Sequence, residues 1–363
     1  MSLDYITQSG GKIVSAVSTQ DWPGESAVDV SIVNWVKGTA SLSRPIRLDG
    51  TEVPGITSSL RSSAAPDLAT ASRLASNAGV SFEGVKPGGS GFVIPVDEAD
   101  MLFGRSDADY SKVVRPYLIG DDIVKDPALA PRRWIIDFAT MTLEEAMLYP
   151  AALEIVRDRV KPVRDKNRRA IRRERWWLFS EPVPAMRRAL DGLKRFIASN
   201  VQGKRILFAW FDAEVCPSNL TKVFAFDDEG AIGVLSSGIH HEWARAQSST
   251  LEDRIRYTPR TAFETFPWPG GNRDEVADVA RRLIARRSEI CVEREIGLTK
   301  LYNQLDDGAW ADLRDLHREL DEAVATAYGW PRSVAHDADE TNRRLLELNR
   351  AITAGEVEYR PFD

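Results

Sequence analysis

The first forty residues alternate between apolar and polar positions in the manner of β-strands. Residues 12–17 form a short apolar run, residues 22–25 carry turn chemistry, and residues 28–35 alternate regularly. Because an isolated pair of strands is not stable in water, we expect this pair to belong to a larger sheet.

The following part of the chain, up to about residue 270, mixes helical and strand periodicities. Helices are predicted at 66–79, after the capping box at 142–145, from about 151 through the basic run at 161–175, and after the cap formed by Ser236 and Ser237. Buried strands are predicted at 134–138 and 206–211, and a hairpin over 223–235 that turns at 228–230. This succession predicts a mixed α/β (α+β) module.

From residue 272 the apolar residues keep helical spacing almost to the end of the chain. Val276, Val279, Leu283 and Ile290 occupy one stripe, and Leu313, Leu316, Leu320 and Val324 repeat it before a stop at 329–331. The predicted fold is therefore a small β part, a mixed α/β module and a C-terminal helical segment.

Composition and cysteine usage exclude several classes of protein. Hydrophobic residues make up 43% and charged residues 28% of the 363 residues, as in globular proteins. No run approaches the roughly 18 apolar residues of a membrane span, and no secretory signal opens the chain. Cys216 and Cys291, with four His, give neither a disulfide framework nor metal-ligand spacing. We expect a cytoplasmic protein without membrane contact.

Charge is distributed unevenly along the chain. The net charge is −6, yet residues 151–210 contain 16 Lys and Arg against 6 Asp and Glu, whereas residues 272–363 contain 14 against 20. Such asymmetry favours a basic surface for nucleic acid beside an acidic, solvated helical part. The alternative is a basic helix whose arginines pair with acidic neighbours.

No set of residues predicts a catalytic or cofactor site. Residues 87–92 are rich in glycine, but they lead into an extended segment, whereas a dinucleotide or S-adenosylmethionine loop joins a strand to a helix. His240 and His241 point about 100° apart on a helix, so a surface or interface role is favoured over metal binding or catalysis. We expect no catalytic residue, no cofactor and no metal in this chain.

The residues that do predict chemistry lie mainly between 164 and 204. Guanidinium groups suit phosphate oxygens and the guanine edge, and Ser and Asn side chains can donate to phosphate or pair with adenine. For Trp176, core packing is favoured over stacking on a base. The candidate DNA-binding residues are Arg168, Arg169, Arg172, Arg173, Arg175, Trp176, Arg187, Arg188, Lys194, Arg195, Ser199, Asn200, Lys204 and Asn219.

Several strings of residues, in a constant order, resemble a known family. They lie at 22–35 (WPGESAVDVSIVNW), 116–122 (PYLIGDD), 132–138 (RRWIIDF), 175–179 (RWWLF), 233–237 (GVLSS), 256–258 (RYT) and 263–269 (FETFPWP). Together they resemble the C-terminal part of large adenine-specific DNA methyltransferases of the type IIL, MmeI-like restriction–modification family. The resemblance spans roughly residues 4–270.

The resemblance implies a division of labour between this chain and a catalytic part. In that family the cofactor loop and the Asn-Pro-Pro-Tyr/Phe motif precede the matched region, and neither string occurs in these residues. The family's catalytic residues therefore have no positions here. The resemblance implies a C-terminal piece of a longer enzyme, inactive alone, whose missing N-terminal catalytic domain would bind S-adenosylmethionine.

The domain boundaries that follow are terminal methyltransferase strands at 1–45, a linker and the start of the recognition domain at 46–130, a DNA target recognition domain at 131–270, and a helical segment at 271–363. The predicted function is sequence-specific recognition of double-stranded DNA, in restriction–modification or phage defence. The alternative is a protein-interaction or scaffold module whose basic helix docks an acidic partner.

Overall fold

The N-terminal residues form a small sheet with its own core. A computed structural model describes residues 3–21, 29–38, 45–58, 60, 62, 68–251 and 254–362, so the predicted turn at 22–25 lies outside the described residues. The elements here are helix α1 Leu3–Gln8 and strands β1 Gly11–Asp21, β2 Asp29–Lys37, β3 Arg47–Leu48 and β4 Thr51–Glu52. The two predicted strands, β1 and β2, pair antiparallel in a sheet of order β2-β1-β3-β4.

The middle of the chain contains short strands and helices in alternation. The strands are β5 Ser81–Glu83, β6 Val93–Ile94, β7 Val114–Leu118, β8 Trp134–Ile136, β9 Arg195–Asn200, β10 Gln202–Gly203, β11 Phe208–Asp212, β12 Cys216–Pro217, β13 Thr221–Phe224, β14 Ser249–Leu251 and β15 Arg254–Arg256. The helices are α2 Val96–Phe103, α3 Gly120–Val124, α4 Leu143–Ala146, α5 Pro150–Arg159, α6 Lys161–Arg164, α7 Ala170–Glu174, α8 Pro184–Leu190, α9 Glu229–Ser236 and α10 Gly238–Gln247. The mixed α/β prediction is confirmed.

One four-stranded sheet separates the two large hydrophobic cores. Its order is β11-β9-β13-β5, and its strands pair antiparallel. Because side chains alternate along a strand, Phe196 and Ala198 enter one core while Ile197 enters the other. A second sheet of order β12-β7-β8-β6 lies in the core of Phe196, and a third has the order β10-β15-β14.

The C-terminal segment is helical, as predicted. Its helices are α11 Asp274–Glu293, α12 Leu298–Asp306, α13 Ala311–Ala327 and α14 Ala338–Thr353. Their apolar stripes join Ile197 and Phe208 in the other large core. None of the helices in the described ranges combines the length and the apolarity that a membrane crossing requires.

The predicted helix at 66–79 is wrong where the structure describes it. That segment contains two single 3₁₀ turns, Leu68–Thr70 and Ala75–Asn77. The buried amide of Asn77 donates to the carbonyls of Phe263 and Phe266 at 3.1 and 2.7 Å, and accepts from the Tyr359 hydroxyl at 2.8 Å. These distant partners override the local helical spacing.

The predicted hairpin at 223–235 is also wrong. Strand β13 is present, but the residues after Asp228 form helix α9. The Asp228 carboxylate accepts from the Ala231 amide at 2.8 Å as an N-cap. A Cβ at Gly233 would lie 2.6 Å from Val276 Cγ1, so the glycine allows α9 to pack closely on α11. The predicted caps at Thr142 and Ser237 are both confirmed.

Candidate nucleic-acid interface

The basic segment, residues 161–175, is broken into two short helices rather than forming one long one. Helix α6 begins at Lys161 with Pro162 in its first turn, and the chain turns at Asn167, whose side-chain oxygen accepts from the Arg169 amide at 3.0 Å. Arg173 donates to the carbonyls of Asn167 and Arg168 at 2.7 and 3.2 Å. The predicted continuous helix through 175 is therefore wrong, because local side-chain bonds to the backbone compete with helical ones.

The arginines of this broken segment face solvent without acidic partners. Arg168, Arg169, Arg173 and Arg175 are exposed and Arg172 is partly exposed. None of the five forms an ion pair with a described residue, and in particular none pairs with the acidic C-terminal helices. Unpaired, exposed guanidinium groups of one sign create a local positive field suited to polyanions. This set is the best candidate for contact with phosphate.

The adjacent Arg187 and Arg188, on α8, have opposite environments. Arg187 Nη2 lies 2.8 Å from a carboxylate oxygen of Asp137, which is fully buried, and Arg187 Nε donates to the Pro182 carbonyl at 2.8 Å. Arg188 is exposed and unpaired among the described residues. Arg188 is thus available to a ligand, whereas the Arg187 guanidinium is occupied by internal partners.

The next pair of cations, Lys194 and Arg195, differs in the same way. Arg195 contacts the carboxylates of Asp227 and Glu229 at 2.5 and 2.9 Å, and its guanidinium carbon lies 3.8 Å from the centroid of Trp210. Lys194 is exposed and has no ion pair within the described ranges. Lys204, also exposed, lies 3.8 Å from Asp306.

The neutral polar candidates lie mostly inside the fold. Ser199 is fully buried in β9, and its hydroxyl donates to the Asn200 carbonyl at 3.3 Å. The Asn200 amide donates to the carbonyls of Gln202 and Arg205, both at 3.0 Å, and accepts from the Leu207 amide at 2.8 Å. These side chains organise a turn and offer no free edge to a base. Asn219 is partly exposed.

The two tryptophans that follow the basic segment, Trp176 and Trp177, fix its C-terminal end to the core. Trp176 and Trp177 are both buried in the Phe196 core with their rings edge to face, and Trp177 Nε1 donates to the Met141 carbonyl at 2.9 Å. Core packing, favoured from the sequence, is what the structure shows. Trp176 lacks the exposed ring face that stacking on a base requires.

The glycine-rich stretch at 87–92 packs closely against Ser180 and against Arg164 of the basic segment. Gly88 has a φ of +74°, and a Cβ there would lie 1.8 Å from Ser180 Oγ. The neighbouring Pro87 carbonyl accepts from Arg164 Nη2 at 2.7 Å. The backbone at position 88 approaches Ser180 and Arg164 so closely that only glycine fits there.

A surface role for His240 is wrong, because this residue belongs to the core. Its ring nitrogens lie 2.9 Å from the Leu235 carbonyl oxygen and 3.2 Å from the Tyr257 hydroxyl. Burial lowers its pKa to about 3, so the imidazole is neutral. Within the described part of the chain, His, Cys, Asp and Glu side chains do not gather in groups of three that could hold a metal ion.

The sequence did not reveal a polar cavity of about 550 Å³ between strand β11 and the C-terminal helices. The ionisable side chains of its lining include Arg205, His241, Arg287, Asp306, His317 and Asp321. Arg287 is fully buried and donates to the Phe208 carbonyl at 2.8 Å. The sequence contains one signal that Arg287 is buried, because it lies on the apolar stripe of α11, four residues after Leu283 and three before Ile290.

Comparison with known proteins assigns the family. The family model described as "MmeI, target recognition domain" matches residues 71–270, more than half of the chain. The chain belongs to the MmeI target recognition domain family. This confirms the resemblance drawn from the strings between residues 4 and 270. The predicted domain boundaries stay predictions.

A solved structure shares the fold of almost the whole chain. It is described as the "Structure of Type IIL restriction-modification enzyme MmeI in complex with DNA", with a TM-score of 0.72 and 21% sequence identity. The match covers 95% of this chain and 46% of MmeI, so the chain spans less than half the length of that enzyme. No curated protein matched the sequence. The MmeI fold thus extends over the β part, the α/β module and the helical segment.

Proposed function

We propose that this chain recognises specific sequences in double-stranded DNA as the target recognition part of a restriction–modification enzyme. The observation that carries the proposal is the set of five arginines in the basic segment, four exposed and one partly exposed, which pair with no described carboxylate and lie inside a domain of the MmeI target recognition family. Cations of this kind hold the sugar–phosphate backbone and set the register in which other side chains read bases.

The five arginines, together with Arg188, Lys194 and Lys204, are the proposed backbone contacts. Arg187, Arg195, Ser199, Asn200 and Trp176 are left out of the proposed surface, since internal partners or burial occupy them. Asn219 keeps its place as a candidate, because its side chain is partly exposed.

We further propose that methylation of adenine, with S-adenosylmethionine as donor, belongs to a catalytic domain outside these 363 residues. The coverage of 46% of MmeI supports this view, as does the absence of an Asn-Pro-Pro-Tyr/Phe string from the sequence. A methyltransferase that flips its target base needs a separate surface to hold the duplex while the base is extruded. This chain supplies that surface in our proposal, and the chain alone should not methylate.

The test is duplex binding as a function of salt, for the protein and for a variant with Arg168, Arg169 and Arg173 changed to Gln. Each phosphate neutralised contributes about −0.9 to the slope of log K against log salt. The slope of the variant should therefore be less negative than that of wild type by about 2 to 3. The matched control changes Arg281, Arg318 and Arg343 to Gln. These are exposed arginines of the C-terminal helices, each paired with a nearby carboxylate.

The control has the same net charge as the variant and should keep the wild-type slope. Equal slopes in all three proteins, or no duplex binding by folded wild-type protein, would contradict the proposal. Binding of an acidic polypeptide in preference to duplex DNA would instead favour a scaffold role for the basic segment.

A further inference from the structure

Arg164, at the end of α6, is a buried cation that pairs with no carboxylate of the described residues. Its side chain is 2% exposed, and its Nη2 donates to the carbonyls of Pro87 and Leu178 at 2.7 and 3.4 Å. Its Nε is buried and has no hydrogen-bond partner. Buried charges in proteins are normally paired, because an uncompensated charge is costly to desolvate. The protein therefore compensates the charge of Arg164 only through backbone carbonyls.

A cavity of about 230 Å³ lies against Arg164 and is lined by three further arginines. They are Arg169, Arg172 and Arg175, and none of them forms an ion pair within the described residues. The wall also includes Ser180, whose hydroxyl is buried without a partner. The acidic residue of the wall, Glu181, is largely exposed and pairs with Lys86 at 3.6 Å. We call this space the Arg164 cavity.

The cavity gathers positive charge around a buried guanidinium group, which is unfavourable. Burial lowers the pKa of the Arg164 guanidinium, and the charge of Arg172 lowers it further. The guanidinium groups of Arg169 and Arg175 carry the same sign, so a bound anion would offset both the desolvation and the like charge. Guanidinium forks suit oxyanions that accept several hydrogen bonds at once, and Ser180 can donate one more.

We propose that the Arg164 cavity binds a phosphoryl group, and that in the DNA complex this group is a backbone phosphate of the duplex. The second half rests on the proposed function. The volume suffices for one phosphoryl group together with several waters, each of which occupies about 30 Å³ in the liquid. Arg164 and Ser180 would meet the inner oxygens, and Arg169, Arg172 and Arg175 the outer ones.

The first arm of the test measures the binding of inorganic phosphate by the whole protein, from thermal unfolding and from calorimetric titration. Phosphate should raise the melting temperature above the values found in chloride and in acetate at the same ionic strength. Arg172→Gln should weaken phosphate binding about tenfold or more, the usual effect of losing one charged hydrogen bond. Arg281→Gln, which removes the same charge from an exposed site on α11 outside the cavity lining, should bind phosphate as wild type does.

Arg172→Gln is preferred to a change at Arg164, since a variant at the buried position could fail to fold. Arg175→Gln provides a second exposed variant of the lining. If Arg281→Gln weakens phosphate binding as much as these two, or if acetate stabilises as well as phosphate does, the cavity is not a phosphoryl site and the inference is overturned.

The second arm separates the two sources of phosphate. Phosphate should lower the affinity for duplex DNA more than chloride does at equal ionic strength, and this excess should vanish in Arg172→Gln. Phosphate binding at the cavity without such competition would assign the site to a free phosphate compound and refute the DNA half of the inference.

The cavity and the proposed function can fail separately. Salt-dependent duplex binding without stabilisation by phosphate would refute the cavity and leave the proposed function standing. Stabilisation by phosphate in a protein that does not bind duplex DNA would support the cavity and refute the proposed function. The absence of both effects would refute both.

Discussion

Two neighbouring arginines on α8 provide a sharp test of which basic residues hold the fold and which are free for a ligand. The perturbation is Arg187→Ala, and Arg188→Ala is its matched control. Both changes remove the same side chain from the same helix, one residue apart. Only Arg187 is paired with Asp137, 50 residues away in the chain.

The magnitude follows from what Arg187→Ala leaves behind. Asp137 has a fully buried carboxylate, and it would keep one strong donor, the Ala139 amide at 2.9 Å. Removing one partner of a buried ion pair costs about 3–5 kcal/mol. Arg187 is itself 23% exposed, so water could reach the gap, and we expect the low end, about 3 kcal/mol. Arg188→Ala should change stability by no more than about 0.5 kcal/mol.

The assay is urea unfolding of wild type, both single variants, Asp137→Asn and the double variant with Asp137→Asn and Arg187→Ala. The amide of Asn needs no counter-charge, so the double variant should be more stable than the sum of the two single effects predicts. A coupling of at least about 1 kcal/mol is expected for groups in direct contact. Equal destabilisation by Arg187→Ala and Arg188→Ala, or strict additivity in the cycle, would refute the assignment of Arg187 to the fold.

Three further predictions follow from buried or constrained groups. Burial raises the pKa of the Asp321 carboxyl from 3.8 to about 7, against the opposing effects of the Gly238 amide, His336 and Arg205, so the folded protein holds this proton while the unfolded chain releases it. Between those values this group lowers the free energy of unfolding by about 1.4 kcal/mol for each unit that the pH rises. Asp321→Asn lacks this titration, so from pH 3.8 to 7 its free energy of unfolding should rise by about 4 kcal/mol relative to that of wild type. A difference between the two proteins that does not change with pH in urea titrations would contradict this prediction. Gly88→Ala should destabilise by about 2 kcal/mol or more, because φ is +74° and the new Cβ would overlap Ser180, whereas Gly89→Ala, with an extended φ of 164° and open space, should be nearly neutral in the same unfolding assay. Asn349→Leu should cost about 3 kcal/mol, since the buried amide donates to the carbonyls of Ser72 and Thr265 at 2.8 and 2.7 Å and accepts from the Ser72 amide at 2.9 Å. Asn303→Leu, at an exposed site on α12, is its control, and equal melting temperatures for the two variants would show that Asn349 does not brace the fold.

Several patterns that depend on near neighbours or on strict periodicity predicted the structure correctly. The stripes of the C-terminal helices, the caps at Thr142 and Ser237, and the strand pair β1–β2 all rest on contacts within a few residues or on strict periodicity. The excess of positive charge between residues 151 and 210 is likewise a property of composition. The order of the recognisable strings was enough to indicate the family.

Tertiary structure alone decided which polar side chains are free. Arg187 and Arg188 have the same chemistry and adjacent positions, yet a carboxylate 50 residues away occupies only the first. The conformation of the segment 68–77 is set by a hydrogen bond from Ser72 to Asn349, 277 residues away, and not by its own helical spacing. His240 is in the core because Tyr257 and Leu235 close around it, while Arg164 is buried with carbonyl partners and no carboxylate among the described residues. Local sequence determines where helices and strands can form, but the free energy of a charged or polar side chain depends on its burial and its partners, and folding brings those partners from anywhere in the chain.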